Sequence, residues 1–199
     1  MKILIAGATG NTGQRLTRML AESDHEPIAM HRPSSDLSGL PEGVQTRTAD
    51  LTDLKDGVCD GCDVVVFAAG SGGDTDAEMT DKVDRDGAKS LIDQASASGV
   101  GHFVMLSSVG AGDPDEASDL HHYLLAKHEA DEHLKASGLS YTIVRPVSLT
   151  DDEGDRNIRL GDDVDPGGKA ARGDVAAVLA RAVTDEALAQ KTFLMESRL

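Results

Sequence analysis

Apolar residues along this chain alternate between short unbroken runs and longer stretches with helical spacing. The runs at 2–6, 64–69 and 102–106 are typical of buried strands, because a strand covered on both faces needs no polar positions. Between these runs, stretches such as 12–22 and 83–98 place apolar residues three and four positions apart, which predicts amphipathic helices. The alternation predicts successive βαβ units.

The remaining segments continue this order. Further strands are predicted at 27–31, 44–49, 141–145 and 192–195, and further helices at 120–137 and 174–183. Pro146 is expected to end the strand before it, because proline has no backbone N–H. The order predicts an α/β fold: a Rossmann-type, doubly wound parallel sheet in a single domain over 1–199. The polar segment 150–171 is the only stretch expected to cover a site without joining the sheet, within a substrate-side segment at 147–172.

A glycine-rich turn, Gly7-Ala8-Thr9-Gly10-Asn11-Thr12-Gly13, joins the first predicted strand to the first helix. Gly7 permits a tight turn, Gly10 lets the backbone approach a pyrophosphate, and Gly13 lets the helix pack against the sheet. Ligands of such sheets bind beyond the carboxyl ends of the strands. The turn therefore predicts a dinucleotide site, with an ordinary strand-to-helix turn as the alternative.

The end of the second strand indicates which dinucleotide is bound. An acidic residue there reads the ribose 2′-hydroxyl of NAD, whereas an arginine suits the 2′-phosphate of NADP. This strand ends in His31 and Arg32, and the first acid comes only at Asp36. Because a guanidinium holds a phosphate with two hydrogen bonds, NADP(H) is favoured over NAD(H), and a solvated surface charge is the alternative.

Four polar residues provide candidate chemistry on the ligand side. Ser107 and Ser108 follow the strand at 102–106, while Tyr123 and Lys127 lie four residues apart and share a helix face. The ammonium favours the phenolate, so the tyrosine can exchange a proton with a carbonyl or alcohol oxygen. A serine hydroxyl can hold the same oxygen, and the lysine can also bind ribose hydroxyls. For both serines, hydrogen bonding in a turn or helix cap is the alternative.

Together these motifs resemble the short-chain dehydrogenase/reductase superfamily, in particular its atypical NAD(P)H-binding branch, which includes NmrA-like proteins and flavin/biliverdin reductases. The resemblance covers essentially the whole chain and implies that Ser108, Tyr123 and Lys127 are catalytic. It also implies cofactor contacts at Gly7, Thr9, Gly10, Asn11, Thr12, Gly13, His31, Arg32, Asp50, Leu51, Ala68, Ala69, Gly70, Ser107, Lys127, Pro146, Val147, Ser148 and Leu149. Of these, Asp50 and Leu51 would flank the adenine, and 146–149 would lie beside the nicotinamide.

The resemblance implies reduction of a small carbonyl, quinone or flavin-like acceptor by hydride transfer from NADPH. One alternative is an NADP(H) redox sensor with little turnover that reports to a protein partner. A weaker alternative is a nucleotide-sugar epimerase or dehydratase, which is disfavoured because no large C-terminal substrate domain follows the last predicted strand. The gap of fifteen residues between Ser108 and Tyr123 is slightly longer than is usual in the family.

Charge narrows the expected partners. The chain carries 19 Lys and Arg against 35 Asp and Glu, a net charge of −16, which disfavours nucleic acid and anionic membrane surfaces. No apolar run reaches the roughly 18 residues of a spanning helix, so a cytoplasmic protein is expected, as a monomer or weak homodimer. Acids are spread along the whole chain, which favours a salt-rich cytoplasm over an ordinary one.

Two groups of possible metal ligands are set aside, so no metal site is predicted. Cys59 and Cys62 have redox- or zinc-like spacing but no second ligand pair nearby, and they are interpreted as incidental turn residues. Whether they form a peripheral disulfide is left open. Four histidines lie on the helix at 120–137, with no two spaced four apart, although His121 or His122 could border the substrate.

Overall fold

Strands and helices alternate in the computed structural model, which describes residues 1–71 and 76–198. The strands are β1 (Lys2–Ala6), β2 (Glu26–His31), β3 (Gln45–Thr48), β4 (Val64–Phe67), β5 (His102–Leu106), β6 (Ser140–Pro146), β7 (Ser148–Thr150), β8 (Ile158–Leu160), β9 (Lys169–Ala171) and β10 (Lys191–Ser197). The α-helices are α1 (Asn11–Ala21), α2 (Ala77–Thr80), α3 (Ala88–Ala97), α4 (His121–Ala136) and α5 (Arg172–Ala182). A π-helical segment, Asp81–Gly87, joins α2 to α3, and a short 3₁₀ helix spans Glu186–Leu188.

Eight of the strands form one sheet in the order β3-β2-β1-β4-β5-β6-β10-β8. All neighbours in it are parallel except β10 and β8, which are antiparallel. The order reverses at β1, which lies between β2 and β4, and the carboxyl ends of strands beside such a reversal form the usual ligand crevice. The predicted Rossmann-type sheet is therefore confirmed.

Alternating side chains of the strands build two apolar layers. Ile3 and Ile5 face the layer beneath α1 and α5, whereas Leu4 and Ala6 face the layer beneath α3 and α4. Each layer is closed by the apolar stripes of its helices, such as Leu16 and Leu20 on α1. Helices on both faces make the sheet doubly wound, and they leave its carboxyl edge as the open side.

The structure corrects several predicted boundaries. The strand does not end before Pro146, because Pro146 is the last residue of β6. Proline is tolerated at a strand position where its missing N–H is not needed. The helix predicted at 83–98 is preceded by α2 and runs through a π-helical segment before α3. The expectation that 150–171 stays outside the sheet is wrong, because β8 pairs with β10.

The two ends of that segment contribute to a second small sheet, in which β7 pairs in parallel with β9. The main sheet ends on both sides in short strands: β3 has four residues and β8 has three. Most β3 side chains are exposed, and those of β8 are half-buried.

Candidate active site

The glycine turn has the close backbone contacts that its spacing predicts. Gly7 has a φ of +83°, and a Cβ there would lie 2.6 Å from the backbone of Ala69. A Cβ on Gly13 would overlap the Gly7 carbonyl oxygen, so α1 can pack against the turn only because this position has no side chain. A Cβ on Gly10 would meet that same oxygen at 3.4 Å. The turn thus aims the N-terminus of α1 into the crevice, where its free N–H groups favour an anion.

Two cavities open along the carboxyl edge of the sheet, and they share Gly10 and the segment 68–70. The first, of about 590 Å³, lies over β5 and α4. The second, of about 610 Å³, lies over β2 and β3. With the glycine turn between them, the cavities form one continuous groove across the point where the strand order reverses.

The second cavity contains the residues predicted to read the ribose. His31 and Arg32 line it beside Ser35, whose hydroxyl oxygen accepts the Arg32 backbone N–H at 3.2 Å. The imidazole of His31 is held between the Arg32 carbonyl oxygen at 2.9 Å and the Thr48 hydroxyl at 3.3 Å. Arg32 itself is exposed, so its guanidinium is free to approach a ligand phosphate from the rim.

Tyr123 and Lys127 line the first cavity together, as their shared helix face predicts. The Lys127 ammonium lies 2.8 Å from a carboxylate oxygen of Asp84, and neither side chain has meaningful contact with solvent. The same ammonium is 5.8 Å from the centroid of the Tyr123 ring. It also donates to the carbonyl oxygens of Ala69 and Leu106, both at 3.4 Å.

The charge on Lys127 is maintained by its partners. Burial alone would lower the pKa of this ammonium, but Asp84, with further contributions from Tyr123 and Asp131, raises the pKa above its usual value. Asp84 is placed by the π-helical segment, and its other oxygen accepts the Ser71 N–H at 2.9 Å. Segments with π-helical geometry commonly occur at functional sites.

The two serines after β5 occupy different positions. Ser107 is buried, lines the first cavity, and donates its hydroxyl to Asp131 Oδ2 at 2.8 Å. Ser108 is half-buried and is not among the residues that line either cavity. Ser107 therefore lines the same cavity as Tyr123 and Lys127, and Ser108 does not.

A second buried ion pair lies directly behind Ser107. Asp131 is fully buried, and its Oδ2 also accepts from Arg145 Nε at 3.0 Å and Nη2 at 2.9 Å. Burial raises the pKa of the Asp131 carboxyl, and the Arg145 guanidinium opposes that rise. Tyr123, Lys127 and Asp131 follow one another every four residues along α4, so one helix row carries all three.

Most of the predicted cofactor residues meet in the groove. Those that line it are Gly7, Thr9, Gly10, Asn11, Thr12, His31, Arg32, Asp50, Leu51, Ala68, Ala69, Gly70, Ser107, Lys127 and Leu149. Gly13 serves the packing of α1, as described above, while Pro146, Val147 and Ser148 are not on the walls of either cavity. The segment that follows Gly70 and Ser71 lies outside the described residues, at 72–75.

Several site residues were missed by the sequence reasoning. Arg172 lines the first cavity, where its guanidinium pairs with Asp151 at 2.9 Å. Asp84 and Asp131 also lacked a prediction, although each stands in register with a buried apolar helix position: Asp84 with Ala88, and Asp131 with Leu134. A carboxylate in line with buried helix positions is a signal that it is buried, but it does not identify the group that the carboxylate binds.

Other predictions concern the surroundings of the groove. His122 lines the first cavity, whereas His121 does not, and His122 Nε2 lies 2.9 Å from Asp81. Within residues 1–71 and 76–198, no three His, Cys, Asp or Glu side chains are grouped to hold a metal ion. In the same residues, no helix combines the length and apolar character needed to cross a membrane.

Comparison with known proteins places the chain in a family. A model of the NAD(P)H-binding family matches residues 7–186. The chain is 34% identical to a Bacillus subtilis protein named "uncharacterized sugar epimerase YhfK", over 97% of this chain and 92% of that one.

Solved structures agree with this match. A provisionally named NAD-dependent epimerase/dehydratase from Bacillus halodurans is 36% identical, with a TM-score of 0.92 over 100% of this chain and 94% of that one. The oxidoreductase ylbE from Lactococcus lactis is 28% identical, with a TM-score of 0.87 over 100% and 91%. The chain therefore belongs to the NAD(P)H-binding family of Rossmann-fold proteins.

Proposed function

We propose that this protein is an NADP(H)-dependent oxidoreductase that reduces a small carbonyl, quinone or flavin-like acceptor. The observation that carries the proposal is the order of groups along one groove: Arg32 at one end, the glycine turn in the middle, and Tyr123 with Lys127 at the other. A dinucleotide phosphate matches that order, because its 2′-phosphate, pyrophosphate and reactive ring follow one another in the same sequence.

Particular residues fit the parts of the cofactor. Arg32 and His31 would hold the 2′-phosphate, the N-terminus of α1 would hold the pyrophosphate, and Asp50 and Leu51 would flank the adenosine. The glycine turn supports this fit, because side chains at Gly7 or Gly13 would collide with the backbone that forms the cradle. Leu149 and Arg172 would border the half of the cofactor that enters the first cavity.

The first cavity is suited to moving a proton to a reduced acceptor. When bound, NADPH supplies the hydride. Tyr123 donates a proton to the acceptor oxygen, and the phenolate left behind is stabilised by the Lys127 ammonium 5.8 Å from its ring. Because Lys127 is excluded from water, its charge acts on the phenolate with little solvent screening, although Asp84 offsets part of it.

The main role that we assign to Lys127 is that of a fixed positive charge, and ribose binding is secondary. Its shortest contact is with Asp84 at 2.8 Å, and its two carbonyl contacts are longer, at 3.4 Å. A ribose hydroxyl would have to replace one of those carbonyl contacts. Of the two serines, Ser107 rather than Ser108 is assigned to this cavity, because Ser107 is on the cavity wall.

The test is NADPH oxidation in high salt across quinones, flavins and small carbonyls, with Tyr123→Phe compared to wild type. Loss of the hydroxyl is expected to lower turnover by about 10²- to 10⁴-fold while NADPH still binds. The matched control is Tyr141→Phe, which removes the chain's other tyrosine hydroxyl at the start of β6, far along the sheet from the groove.

Each outcome has a clear meaning. Equal turnover in wild type and Tyr123→Phe would remove Tyr123 as the proton donor. Tight NADPH binding without turnover on any acceptor would favour the redox-sensing alternative and a search for a protein partner. Specific binding of a nucleotide sugar would favour the epimerase or dehydratase alternative that the names of two relatives carry.

A further inference from the structure

The hydroxyl of Ser107 has only one hydrogen, and that hydrogen is already used. Ser107 lies 2.8 Å from Asp131 Oδ2, and the same oxygen accepts two N–H groups of Arg145 at 3.0 and 2.9 Å. A guanidinium keeps its hydrogens at every accessible pH, so Oδ2 acts as an acceptor toward both residues. Ser107 must therefore be the donor in its contact with Asp131.

The hydrogen bond between Ser107 and Asp131 lies inside the fold, where solvent does not compete for it. Asp131 is fully buried, and Ser107 is only 5% exposed. The Ser107 backbone N–H is bonded to the Val144 carbonyl oxygen at 2.8 Å, which fixes the main chain from which the hydroxyl reaches the carboxylate. A serine hydroxyl that already donates its hydrogen can only accept further hydrogen bonds, through its oxygen lone pairs.

The wall of the first cavity at Ser107 is therefore a hydrogen-bond acceptor. This distinguishes it from Lys127 and Arg172, which line the same cavity and can only donate. The carbonyl, quinone and flavin-like acceptors of the proposed reaction bring lone pairs to the site of reduction, so they are poorly matched to Ser107. The nicotinamide carboxamide, in contrast, has an –NH₂ group with two N–H donors.

We propose that Ser107, held by Asp131 and Arg145, accepts a hydrogen bond from the carboxamide –NH₂ of the nicotinamide and so fixes the ring orientation in the first cavity. Asp131 is a positioning residue in this arrangement, because it acts only by holding the Ser107 hydrogen. This inference rests on the proposed function, since it needs the reactive half of the cofactor to enter the cavity beside Tyr123.

The test uses a cofactor analogue and needs no turnover. Dissociation constants are measured by calorimetry for NADP⁺ and for its 3-acetylpyridine analogue, which replaces the carboxamide –NH₂ by a methyl group. Wild type is expected to bind NADP⁺ about 3- to 10-fold more tightly than the analogue, the difference expected for one hydrogen bond. In Ser107→Ala the preference is expected to fall to about 1-fold, because the acceptor is gone.

Ser108→Ala provides the matched control, since it removes the same group from the adjacent residue outside the cavity walls. It is expected to keep the wild-type preference. The inference would be overturned if Ser107→Ala kept the full preference for NADP⁺, or if Ser108→Ala lost it equally. If wild type bound neither nucleotide, the proposed function would fail and this inference would fail with it, whereas binding of both with unchanged preference in Ser107→Ala would overturn the inference alone.

Discussion

The two ends of the same sheet bury polar groups in opposite ways. At the carboxyl end, Lys127 is buried and Arg145 is half-buried as a charge, each paired with a carboxylate that has no solvent contact. At the amino end, burial raises the pKa of the Cys59 thiol to about 12 and lowers the pKa of the His102 imidazole, so both groups are held neutral. Of these four groups, Lys127 is the one that lines a cavity, so the carboxyl end is where we expect chemistry.

The largest expected effect on stability comes from breaking the buried Lys127–Asp84 ion pair at the carboxyl end. Lys127→Met would leave Asp84 buried without its cation, which is expected to lower the free energy of unfolding by about 3–5 kcal/mol. Urea denaturation measures the change. The matched control is Lys82→Met, whose partner Glu78 is exposed, and it is expected to cost less than about 1 kcal/mol. Equal losses in the two variants would contradict the assigned role of burial.

The exposed cation of the same end is expected to matter for binding instead of stability. Arg32→Ala should weaken NADPH binding by roughly 10- to 100-fold and leave NADH binding nearly unchanged, because only NADPH has the 2′-phosphate. Fluorescence titration of both cofactors measures this. Arg18→Ala, which removes an exposed arginine from α1, is the control and should affect neither. Parallel losses for both cofactors in Arg32→Ala would argue against NADP(H) preference.

The amino end is expected to respond to pH by a smaller amount. Burial lowers the pKa of His102 from 6.5, with its ring between Ser140 and Thr142. Below that ordinary value the unfolded chain binds a proton that the folded chain resists, so His102 costs stability as the pH falls. Relative to His102→Gln, the wild type should lose at most about 1.4 kcal/mol per pH unit between pH 7 and 5. Parallel stability curves in urea would show that the imidazole is not held neutral.

The fold was largely predictable from the sequence because its signals are local and repeated. The apolar runs at Val64–Phe67 and His102–Leu106 each fix a strand by themselves, and the glycine turn fixes the first crossover. What escaped prediction depends on long-range pairing. β8 has three residues without a pattern of its own, and it joins the sheet only because β10 offers it an edge.

In the candidate site, too, the residues with a local sequence signal could be predicted, and those that depend on long-range contacts could not. Tyr123 and Lys127 could be identified because helical spacing alone brings them together. The roles of Asp84 and Asp131 could not, since each depends on a cation or hydroxyl elsewhere in the chain. The choice between Ser107 and Ser108 could not be made from the sequence either, because it depends on which hydroxyl reaches α4. Only tertiary packing places Asp131 behind the first serine.

Both edges of the main sheet also bear on how the chain behaves at high concentration. An edge strand displays unpaired N–H and C=O groups on which a second chain can add, and long apolar edges promote aggregation. Here β3 presents Gln45–Thr48, a short polar strand with an arginine, and β8 is shorter still. With a net charge of −16 to keep copies apart, the sheet offers little template for growth into fibrils.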